Sequence, residues 1–312
     1  MQKYKFCNFT FESQLPLPEL EPARGLEPEF RVTVSEAPAG DDSHCEWLHT
    51  WSLPDETPWL QLGRQPSGYF LRFPGMADFA VSEDAKEIRG HVVGDTPEET
   101  IRHLILDQVL PLLLSHRGRF VLHGSAVATP RGAIGFVGQA GWGKSTLASS
   151  FSEDGMAVLT DDCLLLEEDA ESVTVIPSYP GVRLWPDTAR TVFGSVKCGT
   201  KVAHYSEKKR LDASAGIGFS SWPAKLRRLY FLSSPNECEG LSVKPLSPRE
   251  AMLELVKYSY LMDVTNRPRL QQGFERLAKF ALNPIFFRLA FPHDYSQLTS
   301  VRQAVLSDSH MA

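Results

Sequence analysis

Residues 138–145 read Gly138-Gln139-Ala140-Gly141-Trp142-Gly143-Lys144-Ser145, and Thr146 follows. The stretch satisfies G-x-x-x-x-G-K-[ST] at every fixed position. A loop of this composition binds phosphate for physical reasons. Gly138, Gly141 and Gly143 let the backbone turn sharply and aim its N–H groups inward. Lys144 then reaches the β- and γ-phosphates of a nucleotide, and the Ser145 hydroxyl ligates Mg²⁺. The flanks agree. Residues 133–137 (Ala-Ile-Gly-Phe-Val) form a short apolar run of strand character, and residues 146–151 (Thr-Leu-Ala-Ser-Ser-Phe) have helical periodicity without a breaker. Strand, loop and helix in that order put the phosphates at a helix N-terminus, where orphan N–H groups favour anions. The whole run from Gly138 to Thr146 is the expected nucleotide-binding segment.

Downstream, Gly155 ends the helix, and residues 156–160 (Met-Ala-Val-Leu-Thr) form a strand that delivers Asp161 and Asp162 at its end. An apolar strand ending in Asp beside a phosphate loop is what a second Mg²⁺ ligand requires. Two adjacent carboxylates allow a division of roles, one on the metal and one accepting a proton from an attacking hydroxyl. An Asp pair that only shapes a turn is the bland alternative. Only 17 positions separate Lys144 from Asp161, so the acidic strand is the next element. GTPases, ABC transporter ATPases and helicases place it later, which argues against those classes.

Upstream, residues 119–128 form an apolar strand carrying one histidine, His123, and Arg131-Gly132 turns it into the strand before the loop. A histidine in such a strand is a satisfied core residue or a site residue, and the strand alone does not separate the two. Beyond the Asp pair, residues 178–186 (Ser-Tyr-Pro-Gly-Val-Arg-Leu-Trp-Pro) make a shaped loop or edge. Arg183 is its one charge, able to reach a phosphate or to sit in solvent. Residues 197–210 carry Lys197, Lys201, Lys208, Lys209 and Arg210 with few apolar anchors, and read as a mobile basic loop, a lid or a solvated charge run.

Residues 1–95 differ in composition. Residues 4–11 alternate with a period of two, as a half-buried strand does, and further strands are expected over 30–34, 68–73, 77–81 and 86–93. Trp47, Trp51 and Trp59 suit core or interface packing better than a ligand site. Thr96-Pro97-Glu98-Glu99 reads as a helix start, with Thr96 as N-cap, for a helix reaching His116 that Pro111 should kink. The domain boundary is placed near 95. The two expected domains are a β-rich residues 1–95 and an α/β residues 96–312. In the second, helices are also expected over 248–260, 269–281 and 298–306, and strands over 226–232 and 285–291.

Composition excludes several classes. With 312 residues, 42% hydrophobic and 22% charged, the chain has the mix of a globular protein with a sizeable core. The net charge of −6 disfavours a broad nucleic-acid face. Five widely spaced cysteines without a CxxC pair point to free thiols in a reducing compartment. No signal peptide or spanning segment is read, and residues 105–114, the longest apolar run, include Asp107 and are too short for a bilayer. A cytoplasmic protein without nucleic-acid or membrane partners is expected.

Taken together, Leu122-His123-Gly124-Ser125-Ala126-Val127, the Gly138–Ser145 loop and Leu159-Thr160-Asp161-Asp162 resemble the catalytic domain of the HPr kinase/phosphorylase family in order and spacing. Tyr179-Pro-Gly-Val-Arg-Leu-Trp185 and Leu15-Pro-Leu-Pro-Glu-Leu20 resemble the branch found with ribosomal peptide biosynthesis. The resemblance covers residues 120–300 best. It implies a fold like that of phosphoenolpyruvate carboxykinase and ATP-dependent phosphorylation of a serine hydroxyl on a peptide or protein. It also implies that Asp161 accepts the proton, that Asp162 and Ser145 hold Mg²⁺, that Lys144 stabilises the transferring group, and that His123 supports the site. Arg183 stands where the family has an arginine, but the acidic residue that precedes it in bifunctional members is missing here, so the resemblance does not extend to the phosphorylase reaction. A homo-oligomer is compatible with it. A small-molecule acceptor and a non-catalytic ATP sensor remain as alternatives.

Overall fold

The computed structural model describes residues 1–38, 43–53, 55–169, 172–194 and 199–310. Lys197 and Cys198 lie outside them. The chain is a mixed α/β protein with several sheets, and it divides into two units. The first comprises Met1–Gly118, Val202–Ser206 and Leu261–Arg267; the second comprises Arg119–Lys201, Glu207–Tyr260 and Pro268–Ala312. Residues 96–118 therefore group with the first unit, so this division lies one helical segment beyond the expected boundary near 95.

The first unit holds strands β1 (Gln2–Phe6), β2 (Phe9–Ser13), β3 (Glu21–Pro22), β4 (Phe30–Ser35), β5 (Glu46–Ser52), β6 (Pro58–Gln65), β7 (Gly68–Phe73), β8 (Ala77–Ser82) and β9 (Glu87–Val92). Among the described residues they make one sheet in the order β3-β1-β2-β4-β9-β8-β7-β6-β5. The single strand expected over residues 4–11 is instead a tight hairpin. Phe6 pairs with Phe9, and Cys7 takes a left-handed φ of 55° at the turn. Alternation continues on both sides of that turn, so the pattern alone conceals the reversal. The strands at 30–35, 68–73, 77–82 and 87–92 form as expected, and β5–β6 adds a hairpin carrying the tryptophans. Trp59 packs edge-on against Phe73 at 5.8 Å, and Trp47 against Phe70 at 6.2 Å.

The helix after β9 is broken in an instructive way. It runs as α1 (Glu98–Leu104), a π-helical turn Ile105–Val109, and α2 (Leu110–His116). Pro111 has no N–H and its ring crowds the carbonyl four residues back, so the backbone widens just before it. The Leu110 N–H donates to the Ile105 carbonyl, five residues back. Thr96 does not cap α1. Its hydroxyl donates to the Val93 carbonyl, and Pro97 occupies the N-cap without a side-chain hydrogen bond.

Later segments complete this unit. Asp263 is buried and accepts from the Tyr69 hydroxyl (2.7 Å), from Arg64 (3.1 Å) and from the Thr265 N–H (2.7 Å). Burial, together with this carboxylate, pushes the Tyr69 phenol up to about 12.

The second unit begins with β10 (Phe120–Thr129) and β11 (Gly132–Val137), the expected hairpin. It continues through α3 (Lys144–Ser150), β12 (Ala157–Thr160), β13 (Cys163–Glu168), β14 (Val173–Ile176), β15 (Val182–Leu184) and α4 (Pro186–Phe193). Then come β16 (Thr200–Ala203), whose last two residues group with the first unit, and β17 (Ser206–Leu211), β18 (Ala224–Leu232), β19 (Ser242–Pro245), α5 (Pro248–Tyr258), α6 (Arg267–Phe280), β20 (Phe286–Ala290) and α7 (Leu298–His310). The main sheet runs β11-β10-β13-β14-β18-β20-β19, and β11 also pairs in parallel with β18, so five strands close into a ring. Within residues 197–210, expected as a mobile loop, β16 and β17 form instead, in a small sheet ordered β15-β17-β16. The basic residues there hid the strand pairing, in which Val202, Ala203, Arg210 and Leu211 are buried.

Period-two alternation sorts the central strands onto two cores. Leu229 and Phe231 of β18 face a cluster with Leu255 of α5 and Phe280 of α6. Tyr230 and Leu232 face the other, with Leu147 of α3 and Val301 of α7. Strands covered on both faces read as continuous apolar runs, which is why β11 and β18 were legible. Ser247 caps α5 with the expected reciprocal box, accepting from the Glu250 N–H while Glu250 reaches back to the Ser247 N–H.

Candidate active site

The glycine loop joins β11 to α3 at one end of the main sheet. Gly141 and Gly143 adopt φ of 84° and 87°, left-handed values that an L side chain resists. A Cβ at Gly143 would also lie 3.3 Å from the His293 Nε2, so this position needs glycine twice over. The Trp142 N–H donates to the Gln139 carbonyl (3.2 Å), which tightens the turn. The Trp142 ring lies under the Lys257 ammonium, 5.6 Å from it.

Lys144 opens α3 and folds back into the loop. Its buried ammonium donates to the carbonyls of Gly138 (2.9 Å) and Gln139 (3.2 Å). Burial pushes this ammonium down to about 7; nearby Asp161 opposes that shift, whereas Lys208 and Arg183 add to it. Ser145 and Thr146 follow in the first turn, half-buried.

The acidic pair sits at a break in a strand. β12 and β13 both pair antiparallel with β10, with Thr160 opposite Ala126 and Cys163 opposite His123. Asp161 and Asp162 thus fill the positions facing Ser125 and Gly124, and the ladder resumes in the same register. Asp162 takes a left-handed φ of 63°, which Asp tolerates better than most residues. This kink lets two consecutive residues both stay buried.

Both oxygens of Asp161 are held. Oδ1 accepts from the Ser125 hydroxyl (2.6 Å), and Oδ2 accepts from the Arg183 backbone N–H (3.0 Å). Asp162 forms an ion pair with the Arg183 guanidinium, and its other oxygen lies 3.8 Å from His123 Nδ1. The Tyr260 hydroxyl lies 3.4 Å from the same nitrogen. The fold therefore gathers Lys144, Asp161, Asp162, His123 and Arg183 at the loop.

Ser125, Lys257, Tyr260 and His293 carried no expected site role, and Lys208 was expected only as part of the basic run over residues 197–210. Of the first four, only Ser125 left a signal. It is polar, two residues after His123 in an otherwise apolar strand, and so on the same face. The others reach the loop from elements far away in sequence.

The oxygen donors here, the Ser145 hydroxyl and the carboxylates of Asp161 and Asp162, are the kind a hard divalent cation selects. No group of three or more His, Cys, Asp and Glu side chains suited to a metal occurs among the described residues. That donor set suits Mg²⁺, which binds through one or two carboxylates and completes its shell with water and phosphate oxygens.

No family model matches this sequence, and no curated protein matches it. Among solved structures, the Hpr(Ser) kinase/phosphatase from Coxiella burnetii aligns over 61% of this chain and 97% of its own, with 10% identity and a TM-score of 0.34. That is a distant likeness. No helix among the described residues is long and apolar enough to cross a membrane.

Proposed function

We propose that the protein is an ATP- and Mg²⁺-dependent kinase that phosphorylates a serine hydroxyl on a peptide or protein. The observation that carries this reading is the buried Asp161 beside Lys144, its two oxygens held by Ser125 and by the Arg183 N–H. The acceptor oxygen attacks the γ-phosphorus, the bond to the β–γ bridging oxygen breaks, ADP leaves, and the hydroxyl proton passes to Asp161. Each Asp161 oxygen keeps a second lone pair for that proton. Lys144 and the loop N–H groups stabilise the charge spread over the phosphoryl oxygens.

Mg²⁺ bound to Ser145 and Asp162 would neutralise phosphate charge. Asp162 pairs with Arg183, so metal binding there would require Arg183 to yield a carboxylate oxygen, which would free its guanidinium for a phosphate. His123, between Asp162 and Tyr260, is a positioning residue that orients the metal-binding carboxylate.

The test is intact-mass spectrometry of serine peptides, small proteins and small-molecule alcohols after incubation with ATP, Mg²⁺ and the protein. A gain of one phosphate on peptide or protein is expected, absent with Lys144→Ala and with Asp161→Asn. Asp161→Asn should still bind ATP. Full transfer by that variant overturns Asp161 as base, and phosphate appearing only on small alcohols overturns the peptide acceptor.

A further inference from the structure

The small sheet beside the loop presents a cationic face. Arg183 of β15 pairs with Arg210 of β17, and Leu184 pairs with Lys209. Val182, Leu184 and Leu211 point into the apolar core, so the alternate residues Arg183 and Arg210 face the other way. Lys208 shares that face, two residues before Arg210. One step further along the ladder it meets Trp185, and its ammonium lies 5.6 Å from the Trp185 ring centre.

This face is turned toward the loop. α3 packs on the apolar face of β15, whereas the Arg183 side chain on the cationic face pairs with Asp162 and the Arg183 N–H donates to Asp161. Arg183, Arg210 and Lys208 thus share one face, and Arg183 joins it to the two carboxylates. Like charges directly opposite in a ladder, as Arg183 and Arg210 are, are unfavourable unless anions offset them. Arg210 is relieved in part by the Tyr179 ring 5.4 Å away.

We propose that Lys208 is a second phosphate-contacting lysine, which engages the terminal phosphate of the nucleotide held by the 138–145 loop. The Trp185 ring holds the ammonium by a cation–π contact, so the charge is placed before the nucleotide arrives. The electrostatic influence of Lys208 on Lys144 agrees with this closeness. The inference rests on the nucleotide-binding reading of that loop.

A contact to the terminal phosphate separates ATP from ADP. The experiment measures dissociation constants of both nucleotides with Mg²⁺, by calorimetry, for the wild type, Lys208→Gln and Lys208→Met. Met keeps the stem and drops the charge, and the second variant guards against misfolding of the first. Removing one partly exposed charge-assisted hydrogen bond should weaken ATP about tenfold and leave ADP within about twofold. Equal losses for both nucleotides, or no loss, overturn the role of Lys208. A wild type that binds neither nucleotide overturns the phosphate-loop reading itself, and Lys144→Ala, expected to lose both, is the reference for that outcome.

Discussion

Replacing Lys144 with Met should stabilise the nucleotide-free protein at neutral and acidic pH. The Lys144 ammonium falls from an ordinary 10.5 to about 7 because it is buried. At 1.36 kcal/mol per pH unit, holding that charge costs the fold at most about 4–5 kcal/mol. Met removes the charge and keeps the stem. It also loses the ammonium's hydrogen bonds to the Gly138 and Gln139 carbonyls, together worth about 3 kcal/mol for a charged donor. The expected net gain below pH 7 is about 2 kcal/mol.

The sign follows from proton counting. Between pH 7 and 10.5 the unfolded chain keeps the Lys144 proton while the folded one has released it. Wild-type stability therefore rises with pH across that window, and the variant lacks this contribution. The advantage of Met shrinks from pH 7 upward and reverses between about pH 8 and 9, where about 3 kcal/mol of the penalty is left. Urea unfolding followed by circular dichroism from pH 6 to 10 measures the difference. Parallel curves for the two proteins, or a less stable variant at pH 6, would refute the claim that Lys144 is a desolvated charge.

Other outcomes follow from the same geometry. Gly143→Ala forces an L side chain to a φ of 87° and crowds His293, so it should cost about 1–2 kcal/mol and weaken nucleotide binding; unchanged thermal stability and affinity would contradict the described loop. Ser247→Ala removes the α5 cap and should lower stability by about 1 kcal/mol without changing phosphoryl transfer; a thermal melt beside a transfer assay tests both halves. Asp161→Asn, by contrast, should leave the melting temperature and nucleotide affinity near wild type and remove transfer alone.

Local chemistry decided much of this protein from sequence. The 138–145 loop was legible because phosphate binding demands a dense pattern of glycines, Lys144 and Ser145 within eight residues. The strands on either side of it were legible because, covered on both faces, they must be apolar throughout. Asp161 and Asp162 stood out as charges ending such a strand, and Ser247 and Glu250 stood out as a cap.

Tertiary structure decided what depends on distant partners. The turn at Cys7 left no mark, since alternation is the same in one strand as in two antiparallel ones. Thr96 and Ser247 head similar helix starts, yet only Ser247 caps, because the Thr96 hydroxyl donates to the Val93 carbonyl. The basic stretch before residue 211 read as loop, and only its pairing with β15 made it a strand and buried Arg210 and Leu211. The candidate site differs from its motif for the same reason. Sequence placed Lys144 and the Asp pair within one short span, but Asp161 is oriented by Ser125, 36 residues away, and by the Arg183 N–H, 22 residues away. A hydrogen bond or a desolvated charge depends on distance in space, and only the folding of β10, β12 and β15 against one another brings those groups together.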